Sequence, residues 1–142
     1  MLDIKIKKLN KNVELPKQGT QGAAGIDFYL PQPVRFEPNY SKKVPLGVAV
    51  EIPEGYVMLL IPRSSTWTTP LRMPNSVGVI DSDYRGEVCA LLQNTHHRAW
   101  TAEAGERLVQ GVIVPVPSVQ IKEVEELSET SRGAGGFGST GK

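Results

Sequence analysis

The chain has 142 residues, of which 39% are hydrophobic and 22% charged, and its formal net charge is +1. This size fits one globular domain with an ordinary apolar core. The balanced charge excludes a general attraction to nucleic acid or to an anionic membrane, and no apolar run approaches the ~20 residues that span a bilayer. A single cysteine, Cys89, excludes an internal disulfide and indicates a reducing compartment. We therefore expect a cytoplasmic protein, in the host cytoplasm if the chain is viral.

The sequence predicts a series of short strands, separated by turns that contain glycine and proline. Apolar and polar residues alternate over 2–6 and 48–52, which is typical of half-buried strands. Further β-rich runs cover residues 56–61, 87–93, 108–114 and 119–124. Helix is expected only from Ser64, where a hydroxyl would cap it, and over 101–105. Many short strands with turns between them predict an all-β, jelly-roll-like barrel or sandwich with little helix.

Two carboxylates follow an apolar strand in the segment 78–86, Gly-Val-Ile-Asp-Ser-Asp-Tyr-Arg-Gly. Asp81 and Asp83 would share one face if both lay on a strand. The spacing begins like a calcium loop, but Arg85 and Leu92 occupy positions that need oxygen ligands. Two interpretations stay open. The segment is a solvated hairpin turn, or Asp81 at the end of a buried strand holds and polarises a water.

An arginine and three hydroxyls follow another apolar strand, in residues 62–66, Pro-Arg-Ser-Ser-Thr. The Arg fork, the hydroxyl donors and free backbone N–H groups suit phosphate oxygens. Because the chain has no strong overall field, an anionic ligand must be bound by such local groups. The alternative is a polar loop with a helix cap.

The tail, residues 132–142, contains five glycines in eleven residues, which by composition indicates a disordered end. It matches a dinucleotide fingerprint and most of a Walker loop, but both motifs need a preceding strand and a following helix, so we reject both. A glycine-rich backbone can still wrap a polyphosphate, while Arg132 and Ser139 add a charge and a hydroxyl. Phe137 has no core to join there, so it docks on a neighbour or stacks on a ligand.

Five segments resemble, in order, the five motifs of the homotrimeric dUTP diphosphatase (dUTPase) family. They are residues 24–27, 62–65, 75–86, 105–110 and 132–141. Each motif is weak alone, but five in the right order over nearly the whole chain are specific. One departure lies in the second motif, which continues as Ser65, Thr66 and Trp67 where many members have glycine and small apolar residues.

The resemblance implies a jelly-roll subunit and a homotrimer with three sites, each built from segments of all three chains. It implies hydrolysis of dUTP to dUMP and pyrophosphate with Mg²⁺ as cofactor, and neither a nucleic-acid nor a membrane partner. The chain would divide into one β domain, residues 1–131, and an arm, residues 132–142, that closes over a site of a neighbouring subunit.

Residue roles follow from the same resemblance. Asp81 would hold the attacking water in line with the α-phosphorus, and Asp27 would order waters on the metal. The residues expected to bind the triphosphate are Arg63, Ser64, Ser65, Gln110, Arg132 and Ser139. Those expected at the uracil and deoxyribose are Asn75, Gly78, Ile80, Tyr84, Phe137 and Gly138. Tyr84 would exclude a 2′-hydroxyl, and Phe137 would cover the base.

The chemistry of a triphosphate agrees with these roles, because its negative charge demands a cation, an arginine and one fixed carboxylate for the water. Two alternatives from other classes remain. A dCTP deaminase has a similar fold and resembles the Arg-Ser-Ser segment, and ammonia release from dCTP would identify it. A non-catalytic jelly-roll module would turn over no dUTP and would tolerate substitution of Asp81.

Overall fold

Strands account for nearly all of the regular structure in the computed structural model, which describes residues 1–141. In chain order they are β1 (Lys5–Lys8), β2 (Lys17–Gln18), β3 (Gly25–Asp27), β4 (Val34–Phe36), β5 (Ser41–Glu51), β6 (Tyr56–Pro62), β7 (Leu71–Arg72), β8 (Gly78–Ile80), β9 (Glu87–Asn94), β10 (Trp100–Ala102) and β11 (Val109–Pro115). One short 3-10 helix, Ser64–Thr68, follows β6. The predicted all-β class is therefore confirmed.

Two larger sheets and one ribbon make up a jelly-roll-like sandwich. The first sheet has the order β1-β5-β9-β7, the second has the order β2-β3-β11-β6-β8, and β10 pairs with β4. All these pairs are antiparallel. The largest fully buried side chains include Phe28, Phe36, Leu46, Ile52, Met58, Leu60 and Leu92. Their burial supplies most of the driving force for folding, at about 25 cal/mol per Å² of apolar surface.

The second sheet brings together three strands whose ends carry the candidate residues. β11 lies between β3 and β6, so that Gln110 pairs with Asp27 on one side and with Ile61 on the other. Gly111 permits this close packing, because a Cβ there would lie 2.5 Å from the sulfur of Met58 and 3.1 Å from the ring of Phe28. β3, β6 and β11 are far apart in sequence, so the proximity of their residues is evident only from the pairing of the strands in the sheet.

Several local predictions are wrong, each for a physical reason. Residues 119–124 form no strand, because they are exposed and lie beside no strand of the described chain that could pair with them. Residues 101–105 form no helix, since β10 pairs with β4 and the chain then turns. The 3-10 helix does begin at Ser64, but its N-cap is Arg63 and no side chain caps it.

Candidate active site

Asp27, at the end of β3, lies between two arginines. It is only 6% exposed. Arg63 donates from Nε to Oδ1 at 2.8 Å, and Arg107 donates from Nη1 to Oδ2 at 3.1 Å. Both carboxylate oxygens therefore accept a charge-assisted hydrogen bond, which compensates for the desolvation of this buried carboxylate.

Gln110 lies beside Asp27 and Arg63 and lines the same cavity. Its Nε2 donates to the carbonyl of Pro62 at 3.1 Å. The side chain lies against Gly25, where any Cβ would overlap Oε1 of the glutamine, so a larger residue at this position would displace the glutamine side chain. A cavity of about 170 Å³ is lined by Thr20, Gly25, Asp27, Arg63, Ser64 and Gln110, among others. We call these residues the phosphate cluster, because guanidinium, amide and hydroxyl donors suit an anionic ligand.

Ser65 is placed differently from Ser64. Its hydroxyl accepts a hydrogen bond from Arg63 Nη1 at 3.1 Å, and it lines a separate cavity of about 320 Å³ with Arg107. The next residue, Thr66, is buried and donates to the carbonyl of Leu108 at 2.6 Å, which ties the 3-10 helix to the start of β11. Two residues of the segment that departs from the usual second motif thus make defined contacts, Ser65 with Arg63 and Thr66 with Leu108.

Asp81 and its neighbours lie on β8 and the turn that follows. Gly78 and Ile80 pair with Leu60 and Met58 of β6. The amide of Tyr84 donates to the carbonyl of Asp81 at 3.2 Å, so Asp81 and Asp83 belong to a turn rather than to one face of a strand. Both aspartates are exposed and line a groove of about 970 Å³ that also contains Tyr56, Val79, Arg85 and Val116.

The expectation that Asp81 ends a buried strand is wrong. β8 is an edge strand, and Val79 is 61% exposed. Nothing in the described chain covers the outer side of this strand, so its apolar side chain faces out beside the carboxylate. Asn75, just before β8, makes one long hydrogen bond of 3.4 Å, from Nδ2 to the carbonyl of Val77.

Tyr84 is held in place by the backbone around it. Its hydroxyl donates to the carbonyl of Glu87 at 3.0 Å. The ring lies over Gly86, where an added Cβ would come within 2.6 Å of the ring carbon Cζ. The ring is 43% exposed, so one part of it stays free to contact a ligand.

The Asp81 turn and the phosphate cluster lie at opposite ends of β6. Ile80, just before Asp81, pairs with Met58, whereas Arg63 follows the far end of the strand. The five steps along the chain from Met58 to Arg63 span about 16 Å at the usual strand rise of ~3.3 Å per residue. One chain therefore does not bring these two groups together.

The predicted tail residues join neither group in this chain. Residues 116–141 contain no strand, and most of their hydrogen bonds are local turns, such as that from the amide of Ser139 to the carbonyl of Gly136 at 3.0 Å. Phe137 has a φ of 52° and a fully exposed ring. Arg132, Phe137, Gly138 and Ser139 line none of the three cavities described above. Lys142 lies outside the described residues.

Two residues in contact with the site were given no role by the sequence. Arg107 shares Asp27 with Arg63, and the ring of Tyr29 lies 5.8 Å from its guanidinium carbon. The centre of the Tyr29 ring also lies 5.4 Å from the Lys17 ammonium, and the pKa of Lys17 is raised by Tyr29 and, to a smaller extent, by Glu14. The available signal for Arg107 was its place in the fourth motif, beside Gln110.

The comparisons with known proteins agree over almost the whole chain. The dUTPase family model matches residues 11–141. The chain belongs to the dUTPase family. The deoxyuridine 5′-triphosphate nucleotidohydrolase of Nautilia profundicola is 45% identical, over 99% of this chain and 100% of that one. That of Caulobacter vibrioides is 42% identical, over 99% and 95%.

Solved dUTPase structures have the same fold. A glycine-to-serine mutant of the Staphylococcus bacteriophage 80alpha dUTPase, in a structure with dUpNHpp, superposes with a TM-score of 0.91 at 31% identity over 99% of both chains. An aspartate-to-asparagine mutant of the dUTPase from phage phi11 of S. aureus, whose structure reveals the coordination of a structural Mg(II) ion, has a TM-score of 0.83 at 27% identity over 89% of this chain and 99% of that one. This dUTPase is accordingly an enzyme that hydrolyses dUTP to dUMP and pyrophosphate, and the family resemblance is confirmed. The deaminase and the non-catalytic module are set aside.

Proposed function

We propose that this dUTPase hydrolyses dUTP at sites shared between the chains of a homotrimer, with Asp81 holding the attacking water. The observation that carries the proposal is the separation of about 16 Å along β6 between the Asp81 turn and Arg63. The attacking water and the α-phosphorus must approach to about 3 to 3.5 Å at Asp81, and on this proposal the phosphate cluster that holds the triphosphate there belongs to another chain. A neighbouring chain must bring its Asp81 turn to the phosphate cluster.

Exposed apolar surface supports such an assembly. Val79 lies uncovered on the edge strand, and five large apolar side chains of the final segment are 47% to 94% exposed. These side chains are Val116, Val119, Ile121, Val124 and Leu127. Many large apolar side chains exposed along one segment are typical of an interaction surface. A trimer, which is typical of the family, would cover it.

The phosphate cluster would bind the triphosphate. Arg63 and Gln110 present N–H donors to the 170 Å³ cavity, and Ser64 presents a hydroxyl there. The hydroxyl of Ser65 is bound to Arg63. Arg132 and Ser139 of the tail would add a second charge and a further hydroxyl. Charge-assisted hydrogen bonds from guanidinium to phosphate oxygens are among the strongest available to a protein.

β8 and the Asp81 turn, the second half of the proposed site, would recognise the base and the sugar. β8 pairs with β6 on one side only, so the remaining backbone N–H and C=O groups around Gly78 and Ile80 are free to read an edge of uracil. Asn75 would add an amide, and Tyr84 would pack on the deoxyribose and exclude a 2′-hydroxyl. Phe137 and Gly138 of the tail would cover the base. A mismatched base would leave these polar groups unpaired, which explains the selectivity.

The donor set fits a Mg²⁺ ion that is bound mainly by substrate and water. Among residues 1–141 there is no cluster of three His, Cys, Asp or Glu side chains that would cage a metal. Mg²⁺ characteristically keeps several waters and binds phosphates with one or two carboxylates. Asp27 already accepts from two arginines and retains lone pairs for metal-bound waters. When bound, the ion would neutralise charge on the phosphate oxygens.

The residues would divide the reaction as follows. Asp81 accepts a proton from a water as the oxygen of that water attacks the α-phosphorus. The bond from the α-phosphorus to its bridging oxygen breaks, and pyrophosphate leaves while Arg63 and the tail stabilise its charge. The products are dUMP and pyrophosphate.

The β domain, residues 1–131, would carry both halves of the site, and the arm, residues 132–142, would close over a neighbour's site. We place the enzyme in the cytoplasm, or in the host cytoplasm for a viral chain, since one cysteine is typical of a reducing compartment. Among residues 1–141, no helix is long and apolar enough to cross a membrane.

Mixed assemblies test the shared site. Asp81→Asn and Arg63→Gln should each be nearly inactive alone, whereas random co-assembly should restore about a quarter of the sites, because each site then needs one intact residue from each of two chains. The control mixes Arg63→Gln with Gln110→Ala, which damage the same half and should not complement. Two different affinity tags verify that chains have exchanged. Exchanged mixtures that are no more active than the separate variants would show that one chain forms the whole site.

A further inference from the structure

We propose that Arg107 is a positioning residue that keeps the guanidinium of Arg63 open towards the triphosphate by occupying one oxygen of Asp27. The inference rests on the proposed role of Arg63 as a phosphate ligand. Arg107 itself would not touch the substrate.

The hydrogen bonds of Arg63 determine which of its groups is available. Nε donates to Asp27 Oδ1 at 2.8 Å, while Nη1 donates to Ser65 Oγ at 3.1 Å and to the carbonyl of Arg107 at 3.2 Å. Nη2 donates to no group of the described residues. It is therefore the nitrogen that Arg63 can offer to a phosphate oxygen.

Arg107 influences Arg63 through the carboxylate of Asp27, to which both arginines donate. An arginine and a carboxylate usually prefer two parallel hydrogen bonds. Here Arg63 makes one, because Oδ2 of Asp27 accepts instead from Arg107 Nη1 at 3.1 Å. If Arg107 were removed, Oδ2 would be free, and Arg63 would rotate to pair with both oxygens. That rotation would draw guanidinium N–H groups away from the ligand cavity.

Arg107 is itself held firmly enough for this role. Its guanidinium lies 5.8 Å from the centre of the Tyr29 ring, and that tyrosine is 7% exposed. A cation over an aromatic face is attracted by the ring quadrupole. Arg107 lines the 320 Å³ cavity on the other side of Arg63 and not the 170 Å³ cavity that contains Ser64 and Gln110. Its link to the 170 Å³ cavity is Asp27, which lines that cavity and accepts a hydrogen bond from Arg107.

Steady-state kinetics of Arg107→Gln and Arg107→Lys test the inference. For Arg107→Gln we expect KM for dUTP to rise about tenfold while kcat changes less than about threefold, as for a lost binding contact. Binding of dUMP, which lacks the β- and γ-phosphates, should be unchanged. Arg107→Lys retains a cation for Oδ2 and should recover most of the loss. The matched control is Arg35→Gln, which breaks only the exposed ion pair with Glu37.

A double variant separates positioning from the other possibilities. In an Arg63→Gln background, Arg107→Gln should cause no further rise in the Kd for dUpNHpp, because the group that it positions is absent. Additive losses would mean that Arg107 binds phosphate directly, and equal losses for dUMP and dUTP with a lowered Tm would mean a general structural role. Either result overturns the inference. If Arg63→Gln alone left dUTP binding unchanged, the proposed phosphate role of Arg63 would fail instead.

Discussion

The hydroxyl end of the Tyr84 ring lies against Gly86, so closely that a Cβ on the glycine would overlap the hydroxyl oxygen and come within 2.6 Å of ring carbon Cζ. The tyrosine hydroxyl donates to the carbonyl of Glu87 at 3.0 Å. The backbone thus fixes a partly exposed aromatic ring from below and at its tip. A ring held in this way can act as a rigid wall against a sugar.

Selection of the sugar should depend on Gly86 as much as on Tyr84. We expect Tyr84→Ala and Gly86→Ala each to lower the ratio of kcat/KM for dUTP over UTP by at least about tenfold, because both remove the wall that excludes a 2′-hydroxyl. Tyr84→Phe keeps the ring over Gly86 and should retain most of the ratio. Unchanged discrimination in Tyr84→Ala would contradict this role.

Removing the charge of Asp81 should separate binding from chemistry. Asp81→Asn keeps the shape of the side chain, so binding of dUpNHpp should stay near normal while kcat falls at least ~100-fold, as for loss of a general base. Asp83→Asn lies in the same turn and serves as the matched control, with a smaller loss expected. A loss of kcat at Asp83 as large as that at Asp81 would identify Asp83 as the carboxylate that holds the water.

Deletion of the tail, residues 132–142, should leave an assembled β domain that binds dUTP weakly and turns it over slowly. Ordering a glycine-rich segment costs roughly 1 to 2 kcal/mol of backbone entropy per residue, so the tail should close only when a nucleotide is present. Phe137→Ala should weaken dUTP binding and turnover less than the deletion does, since base stacking contributes only ~1 to 3 kcal/mol. Sedimentation and kinetics of the three proteins provide the measurement. Full activity after deletion, or dissociation into monomers, would refute the proposal that the tail closes over the site.

Turnover should require a divalent cation. Treatment with EDTA is expected to abolish pyrophosphate release, and added Mg²⁺ should restore it, because a triphosphate needs its charge neutralised. The β domain should keep its Tm without metal, since no metal cage exists among residues 1–141. Activity that survives exhaustive chelation would argue against the cofactor.

Cys89 should be a slow thiol. Burial raises the pKa of its thiol, and the charge of Glu87 adds to the effect. The folded chain therefore holds less reactive thiolate at pH 8 than the unfolded chain. Stability linked to this group should be constant below the unfolded pKa of about 8.5 and should fall as pH rises through the raised folded value. Reaction with Ellman's reagent should be slow in buffer and fast in urea. Equal rates would contradict the burial effect.

Local pattern was enough to predict most strands, and ordered motifs were enough to predict the family, but neither predicted which residues meet. The β-rich run over 87–93 predicted β9, and one face of that strand does pack in the core. The same rule failed at Val119 and Ile121, whose apolar side chains find no partner strand within the described chain. The pairing of Arg107 with Asp27, 80 residues apart in sequence, was also beyond local pattern, since it depends on how β3 and β11 are aligned.

The location of the two half-sites at opposite ends of β6 makes catalysis, on the proposed arrangement, a property of the assembly and not of the chain. An isolated subunit would hold two incomplete halves. The rate per chain should therefore fall on dilution below the dissociation constant of the assembly and recover as chains re-associate, and substrate should oppose the loss because it binds only the assembled form. The amount of enzyme in a cell would then set not only how many sites exist but also what fraction of them is complete.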